Sequence, residues 1–534
     1  MLTRTKGSRW CLAIALLAAG GSVWMSPAQA EEKVLRAVMH ADVRTIDPFW
    51  TTQTIAGIHG NMVYDTLFSS DANLDPQPQM VDTWTVSTDR KVYTFKLRDG
   101  LKFHDGSPVT SRDVVASMKR WGKRDGAGKQ LMVYTASLTA KDDKTFVWAL
   151  TEPYGLLIDI LAKMGTSLPF VMREKEAMVD PFTQITEVIG SGPFMFKRDE
   201  WMPGSKAVYV KFKGYVPRKE PASGQAGGKV VKVDRVEFLW MSDPQTAQAA
   251  LVAGEIDFLE NPSSDFLPML KATPGITIAT HPAMGTMGFI QLNHLHPPFN
   301  NVKARRAMYY ILNHADYLNT ISADKSLQTL CYSYFGCGVA METDAGSEPY
   351  KGPKDYAMAE KLFKEAGYTG EPITILHATD HAYINPANLV MIQQLRKAKF
   401  LNLDVQAMDW GSVVARRAKK EAPAQGGWNI FISGTTVLTS SSPVTHTAIG
   451  MGCEKAWFGW PCDKTFEDLR KQWAFAPDLA TRKKLAVELS KRAYDQVPYV
   501  SFAQWRNPIA YRSDRLSGVQ VMPSIPPMWN IEKK

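Results

Sequence analysis

Cysteine is scarce, with five in 534 residues, which excludes a scaffold held together by dense disulfides. No apolar run after residue 30 approaches the ~20 residues a membrane span needs. Charge of neither sign dominates, with 62 Lys and Arg against 53 Asp and Glu. Charged residues make up 22% and hydrophobic ones 45%, ordinary globular usage that excludes disorder. Short-period repeats and low-complexity blocks are also lacking, although residues 214–228, rich in Pro, Gly and Ser, read as an exposed loop. At roughly 150 residues per domain the chain has room for two or three cores.

What is present first is an export signal. Arg4, Lys6 and Arg9 precede an apolar run from Trp10 to about Ala19, and Ala28-Gln29-Ala30 supplies the small residues of a cleavage site. Residues 1–30 are therefore expected to be a signal peptide, with the mature chain starting at Glu31 and released into a secreted or periplasmic space. Cys11 lies ahead of most of the apolar run, badly placed for lipid attachment. Removing three basic and no acidic residues takes the formal charge from +9 to +6. Arg416-Arg417 with Lys419-Lys420, and Arg482-Lys483-Lys484, read as solvated helix faces, and with export they give no reason to expect a nucleic-acid partner.

Four cysteines remain, Cys331, Cys337, Cys453 and Cys462, and an even number in an exported chain points to disulfides with three possible connectivities. The short loops around Gly336 and Gly459-Trp460-Pro461 favour Cys331 with Cys337 and Cys453 with Cys462. No histidines stand beside them at ligand spacing, so no metal site is expected. A secreted hydrolase is the rival class, but G-x-S-x-G, H-E-x-x-H and G-x-x-x-x-G-K-[ST] are all missing. Gly190-Ser191-Gly192 followed by Pro193 suits a turn, and His294 with His296 runs into Pro297-Pro298, a surface turn. His377 and His381 are expected to make loop contacts. No cofactor motif appears.

Val236, Phe238 and Trp240 alternate as a strand, Asp243 and Pro244 open a helix, Gly254 stops it, and Ile256, Phe258 and Leu259 begin a second strand. A crossover of this length pairs its strands in parallel, so the fold class is α/β. A second series runs from a helix after Asp355 through strand Ile373–Leu376, a helix from Asn385, strand Leu403–Met408, a basic helix and strand Trp428–Ile432. Ligands of open α/β sheets bind beyond the carboxyl ends of strands. Those ends carry His377, Asp380 and His381, then Asp409 and Trp410, then Gly434, Thr435 and Thr436.

The stretch Tyr93-Thr94-Phe95-Lys96-Leu97-Arg98-Asp99-Gly100-Leu101-Lys102-Phe103-His104-Asp105-Gly106-Ser107-Pro108-Val109, after Asp75-Pro76-Gln77-Pro78 and Trp84, resembles the family 5 extracellular solute-binding proteins of ABC importers, the dipeptide and oligopeptide-binding type. Gly190-Ser191-Gly192-Pro193-Phe194, Ala253-Gly254-Glu255-Ile256-Asp257, Pro297-Pro298-Phe299-Asn300-Asn301-Val302-Lys303-Ala304-Arg305-Arg306-Ala307, Glu365-Ala366-Gly367-Tyr368 and Val497-Pro498-Tyr499 continue the likeness in order. The resemblance implies a two-lobed periplasmic binding protein fold with mixed sheets flanked by helices. Lobe I would span 31–282 with an extra subdomain at about 70–190, lobe II 283–498, and residues 499–534 would return to lobe I. It also implies a monomer without catalysis, handing a small solute to an inner-membrane ABC permease. A peptide-like or other small polar organic solute leads, with an opine, sugar or metal chelate as alternatives.

One departure bears on the solute. The dipeptide binders carry a tryptophan after the strand at this position and then an aspartate for the ligand's ammonium, and those places fall here on Thr435 and Leu438. The expected site therefore rests on strand ends. Trp50 and Trp410 are candidate apolar walls. Asp409 is a candidate partner for a cation or else the cap of the following helix. Thr435 and Thr436 are candidate hydrogen-bond donors, and His381 is a rim contact.

Overall fold

The computed structural model describes residues 32–281, 284–522 and 525–534. The expected leader over 1–30 and the expected lobe boundary at Ala283 lie outside the described residues.

Local signals open the elements as their chemistry requires. Asp243 accepts hydrogen bonds from the N–H groups of Gln245 and Thr246, Pro244 occupies the first turn, and Gly254 at φ 76° stops the helix Pro244–Ala253 in a left-handed conformation that a side chain would strain. Ala247, Ala250 and Leu251 on one face of that helix pack against Val38 and Leu259 of the sheet below. The strands at either end, Arg235–Leu239 and Phe258–Glu260, are parallel as expected, but they do not pair with each other. Val34–Val38, from the start of the described chain, lies between them and bonds to both. The helix thus crosses over a strand more than 200 residues distant in sequence, a pairing no local pattern encodes. The full sheet has seven strands, completed on one side by Pro508–Arg512 and Ile276–Thr280 and on the other by Lys206–Lys211 and Phe194–Phe196.

The second sheet has six strands, in the order Gln328–Thr329, Tyr499–Trp505, Thr286–Leu292, Ile430–Thr436, Ile373–Ala378 and Leu403–Met408. Its last three strands are parallel and are linked by the helices Ile384–Lys397 and Trp410–Arg416. Tyr499–Trp505 pairs with Thr286–Leu292 in this sheet, so the chain returns to the seven-stranded sheet at Pro508 rather than after Pro498. A third, antiparallel sheet of four strands spans 81–150 and packs with the helix Ser111–Arg124, which opens on a Thr110–Asp113 capping box.

The loop at 214–228 is not exposed throughout. Its end, from Gly224 to Gly228, is buried, and there Gln225 accepts a bond from Asn61 and donates one to the Ile525 carbonyl. The cysteines pair locally, Cys331 with Cys337 and Cys453 with Cys462. Among the described residues no helix is long and apolar enough to cross a membrane.

One buried ion pair fixes the segment that leads to the cleft described below. Asp47 is fully buried; its Oδ2 accepts Arg120 Nη2 at 2.8 Å and the Ile185 N–H, and its Oδ1 accepts the Phe49 N–H. Arg120 also donates to the carbonyls of Val179, Asp180 and Thr183.

Three histidines sit in the cores and His104 is half-buried; desolvation pushes their pKa values down, His59 and His104 to about 4 and His314 and His446 to about 3. Below about pH 6.5 the unfolded chain takes up protons that these folded histidines refuse. Their contribution is whole above that pH and is lost as the pH falls toward 4, by up to about 1.4 kcal/mol per pH unit for each. The melting temperature at pH 5 is therefore expected to lie below that at pH 7, read by differential scanning calorimetry; an equal or higher value at pH 5 would show that these rings protonate in the folded state.

Candidate functional site

The carboxyl ends of parallel strands from both sheets converge on one cleft. From the seven-stranded sheet come His40, after Val34–Val38, and Glu260, the last residue of Phe258–Glu260. From the six-stranded sheet come His381 and Tyr383 after Ile373–Ala378, Trp410 after Leu403–Met408, and Gly434, Thr435 and Thr436 at the end of Ile430–Thr436. Two adjoining cavities of the cleft share His40, Thr54, Tyr383, Gly434, Thr435 and Thr436.

Four of the six expected ligand-binding residues meet here: His381, Trp410, Thr435 and Thr436. His381 is buried, with its ring edge-on to Tyr383 and Trp410 and its Nδ1 unpaired among the described residues. Burial, with His40 as a second cause, holds its pKa well below the usual value, so a neutral imidazole faces the cleft. Thr436 is partly committed, since its hydroxyl caps a short helix by accepting the Thr439 N–H. Gly434 is required by a close approach: a Cβ there would lie 2.7 Å from the Tyr383 hydroxyl.

The other two are placed elsewhere. Trp50 lies under the Arg124 guanidinium, 4.8 Å from its ring centroid, and lines neither cavity; Thr52, Gln53 and Thr54 reach the cleft from that segment instead. Asp409 caps the helix Trp410–Arg416 by accepting from the Ser412 N–H and hydroxyl, and it pairs with Arg44 from the far side of the cleft at 2.6 Å. Burial raises its pKa, but the Ser412 bonds and Arg44 outweigh this, leaving an anion whose acceptors are already engaged. His377, also at a strand end, is bonded to Asn385.

Four contributors were hidden. Arg417 was expected on a solvated basic face, yet it is 2% exposed and borders the cleft. Trp410, Val413 and Arg417 share one helix face by their spacing of three and four, the signal that could have found it. Glu260 and His40 need the strand-end rule applied to the first sheet as well as the second. Trp457 lies on the loop closed by Cys453–Cys462, where no pattern points inward.

Residues 75–448 match the family described as bacterial extracellular solute-binding proteins, family 5 Middle. The chain belongs to this family. A probable peptide ABC transporter periplasmic-binding protein of Sinorhizobium fredii is 42% identical over 95% of this chain and 94% of its own length. The glutathione-binding protein of Escherichia coli strain K12 is 27% identical over 74% of each chain. Among solved structures, the PBP AgaA with agropinic acid from A. tumefaciens R10 superposes with a TM-score of 0.79 at 21% identity, covering 94% of this chain and 99% of its own. The protein DppA of Helicobacter pylori with the peptide STSA gives 0.77 at 20% identity, over 94% and 98%. The fold is thus the two-lobed periplasmic binding fold of family 5, a family of extracellular solute-binding proteins.

Thr436 ends the strand Ile430–Thr436 with Thr435 just before it, and Leu438 lies in the short helix Val437–Ser440. Asp409 borders neither cavity, and its acceptors are taken by the cap and by Arg44. Asp409→Asn keeps a cap acceptor and loses only a half-exposed ion pair, so about 0–1 kcal/mol of stability is expected to go. Asp409→Ala also loses the cap, about 1 kcal/mol more. Solute affinity is expected to stay within a few-fold in both, read by calorimetric titration; a loss of about a hundredfold in Asp409→Asn would return this carboxylate to the ligand.

Proposed function

We propose that the mature chain is the periplasmic component of an ABC importer for peptide-like solutes, freed from its leader at Glu31. It captures the solute as a monomer between its lobes, without catalysis and without nucleic acid, and delivers it to an inner-membrane permease. The lobe boundaries are taken near 283 and, on the return, just before Pro508. The names of the relatives support peptides as the leading solute class.

The observation that carries this reading is the charge lining of the cleft. Among the described residues bordering the two cavities, Glu260 is the one carboxylate. It is buried, and its Oε2 accepts both the His40 N–H at 3.0 Å and His40 Nδ1 at 2.8 Å. Its Oε1 has no hydrogen bond among the described residues. A buried ammonium is expensive unless paired, and Glu260 supplies that pair for a peptide amino terminus from the opposite lobe to the family's aspartate.

The test begins with mass spectrometry of the small molecule released when the purified protein is denatured, which is expected to return one or more short peptides. Refolded, ligand-free protein is expected to bind them and to gain about 2.7 kcal/mol of stability at a hundredfold excess over Kd. Glu260→Gln is expected to weaken free-amino peptides by about thirtyfold or more, in the range for truncating a buried charge pair, and to leave their N-acetylated forms unchanged. Cleavage of the peptides during incubation would instead establish a hydrolase.

A further inference from the structure

Four arginines of the described chain are buried: Arg120, Arg305, Arg417 and Arg470. Three have carboxylate or carbonyl acceptors, although Arg120 Nε, like that of Arg417, is buried without one among the described residues. Arg120 has the Asp47 carboxylate and three carbonyls, Arg305 donates to the carbonyls of Gln496, Phe299 and Asn300, and Arg470 has Glu467 and the Pro443 carbonyl. Arg417 has neither a carboxylate nor a carbonyl. Its one side-chain hydrogen bond among the described residues runs from Nη2 to the Thr52 hydroxyl at 3.3 Å, and its Nε is buried without an acceptor.

Aromatic rings hold it in place. Its guanidinium carbon lies 4.8 Å from the Phe458 ring centroid, 5.2 Å from Trp457, 5.5 Å from Trp410 and 5.8 Å from Phe431. Ring faces attract the cation but accept none of the hydrogen bonds that its five N–H groups offer in their plane. Burial pushes its pKa down to about 9, partly countered by Tyr383. At neutral pH it is still a cation, desolvated and without a counter-ion, at the edge of an open cavity.

We propose that Arg417 anchors a carboxylate of the bound solute, its planar fork meeting both oxygens. This rests on the reading of the cleft as the solute site. It gives the cleft a positive end on the second lobe to set against Glu260 on the first. Trp457 helps to aim it, since Trp457 Nε1 donates at 3.2 Å to the same Thr52 hydroxyl that receives Nη2.

The probes are a mixture of random tripeptides as free acids and the same mixture amidated at the carboxyl terminus, competed for ligand-free protein and read by native mass spectrometry. Wild type is expected to prefer the acids by about a hundredfold, the scale of a lost buried charge pair. Arg417→Met is expected to abolish the preference, and Arg417→Lys, which keeps the charge without the fork, to retain only part of it. The ligand-free Met variant is expected to melt no lower than wild type, because an uncompensated buried charge has gone. Equal retention of acids and amides by wild type would overturn the proposal, as would a lower melting temperature in the ligand-free Met variant with the preference intact. If wild type holds no peptide, the peptide reading fails and the co-purified solute decides the question. An acidic solute that Arg417→Met no longer carries supports the anchor; a solute with no acidic group, or no acidic solute in either assay, overturns it.

Discussion

The geometry of the cleft begins at the buried pair of Asp47 and Arg120. Two charges removed from water stay favourable only when their remaining donors and acceptors are met, and removing one partner of such a pair costs about 3–5 kcal/mol. Here Asp47 accepts two backbone N–H groups as well as the guanidinium, and Arg120 reaches three carbonyls. The pair therefore ties the chain just before Trp50 to the helix Ser111–Arg124 and to the segment 179–185. That anchorage sets where the chain emerges a few residues later, with Thr52, Gln53 and Thr54 at the cleft. Through the Thr52 hydroxyl the constraint passes to Arg417 and Trp457, which follow strands of the six-stranded sheet.

The cleft itself follows from strand direction. A parallel strand delivers its carboxyl end to the same edge as its parallel neighbours, and both large sheets contain such sets. The loops leaving those ends are polar and unpaired by sheet bonds, so their side chains are available to a solute. The polar bonds named across the cleft are few: Arg44 with Asp409, where the side chains are 42% and 37% exposed, and the two bonds that end on Thr52. An ion pair as exposed as the first contributes about 0–1 kcal/mol. A solute that makes several buried contacts with both sides at once favours the closed arrangement.

Elements with local chemistry were legible in the sequence. Asp243, Pro244 and Gly254 mark both ends of a helix by local chemistry, and Leu403–Met408 alternates as a strand should. The strand-end rule led to His381, Trp410, Thr435 and Thr436 because it concerns direction, which a β-α-β series fixes locally. What escaped depends on distant partners. Val34–Val38 inserts between two strands whose linking helix gives no sign of it. Trp50 is turned from the cleft by Arg124, 74 residues later, which donates to its carbonyl and covers its ring. Arg417 was masked by its neighbours: Lys419 and Lys420, past the end of the helix, are solvated as a basic run should be, whereas Arg417 continues the helix face of Trp410 and Val413 and is buried.

The division of charge between the lobes bears on how a solute could be sensed. Glu260 belongs to the seven-stranded sheet and Arg417 to the helix after Leu403–Met408, so the two charged groups of the cleft lie on different lobes. If each takes one end of a zwitterion, a solute bound to an open protein satisfies one charge and leaves the other end in water. Only closure brings the second pair together, and in a desolvated space such a pair is stronger than the same pair in solvent. A solute with one charged end gains nothing comparable on closing, and it leaves either Glu260 or Arg417 buried without its partner, which costs more than the missing contact alone. Selection for a doubly charged solute and selection for the closed state would then be the same physical event, because both depend on the two charges meeting across the hinge.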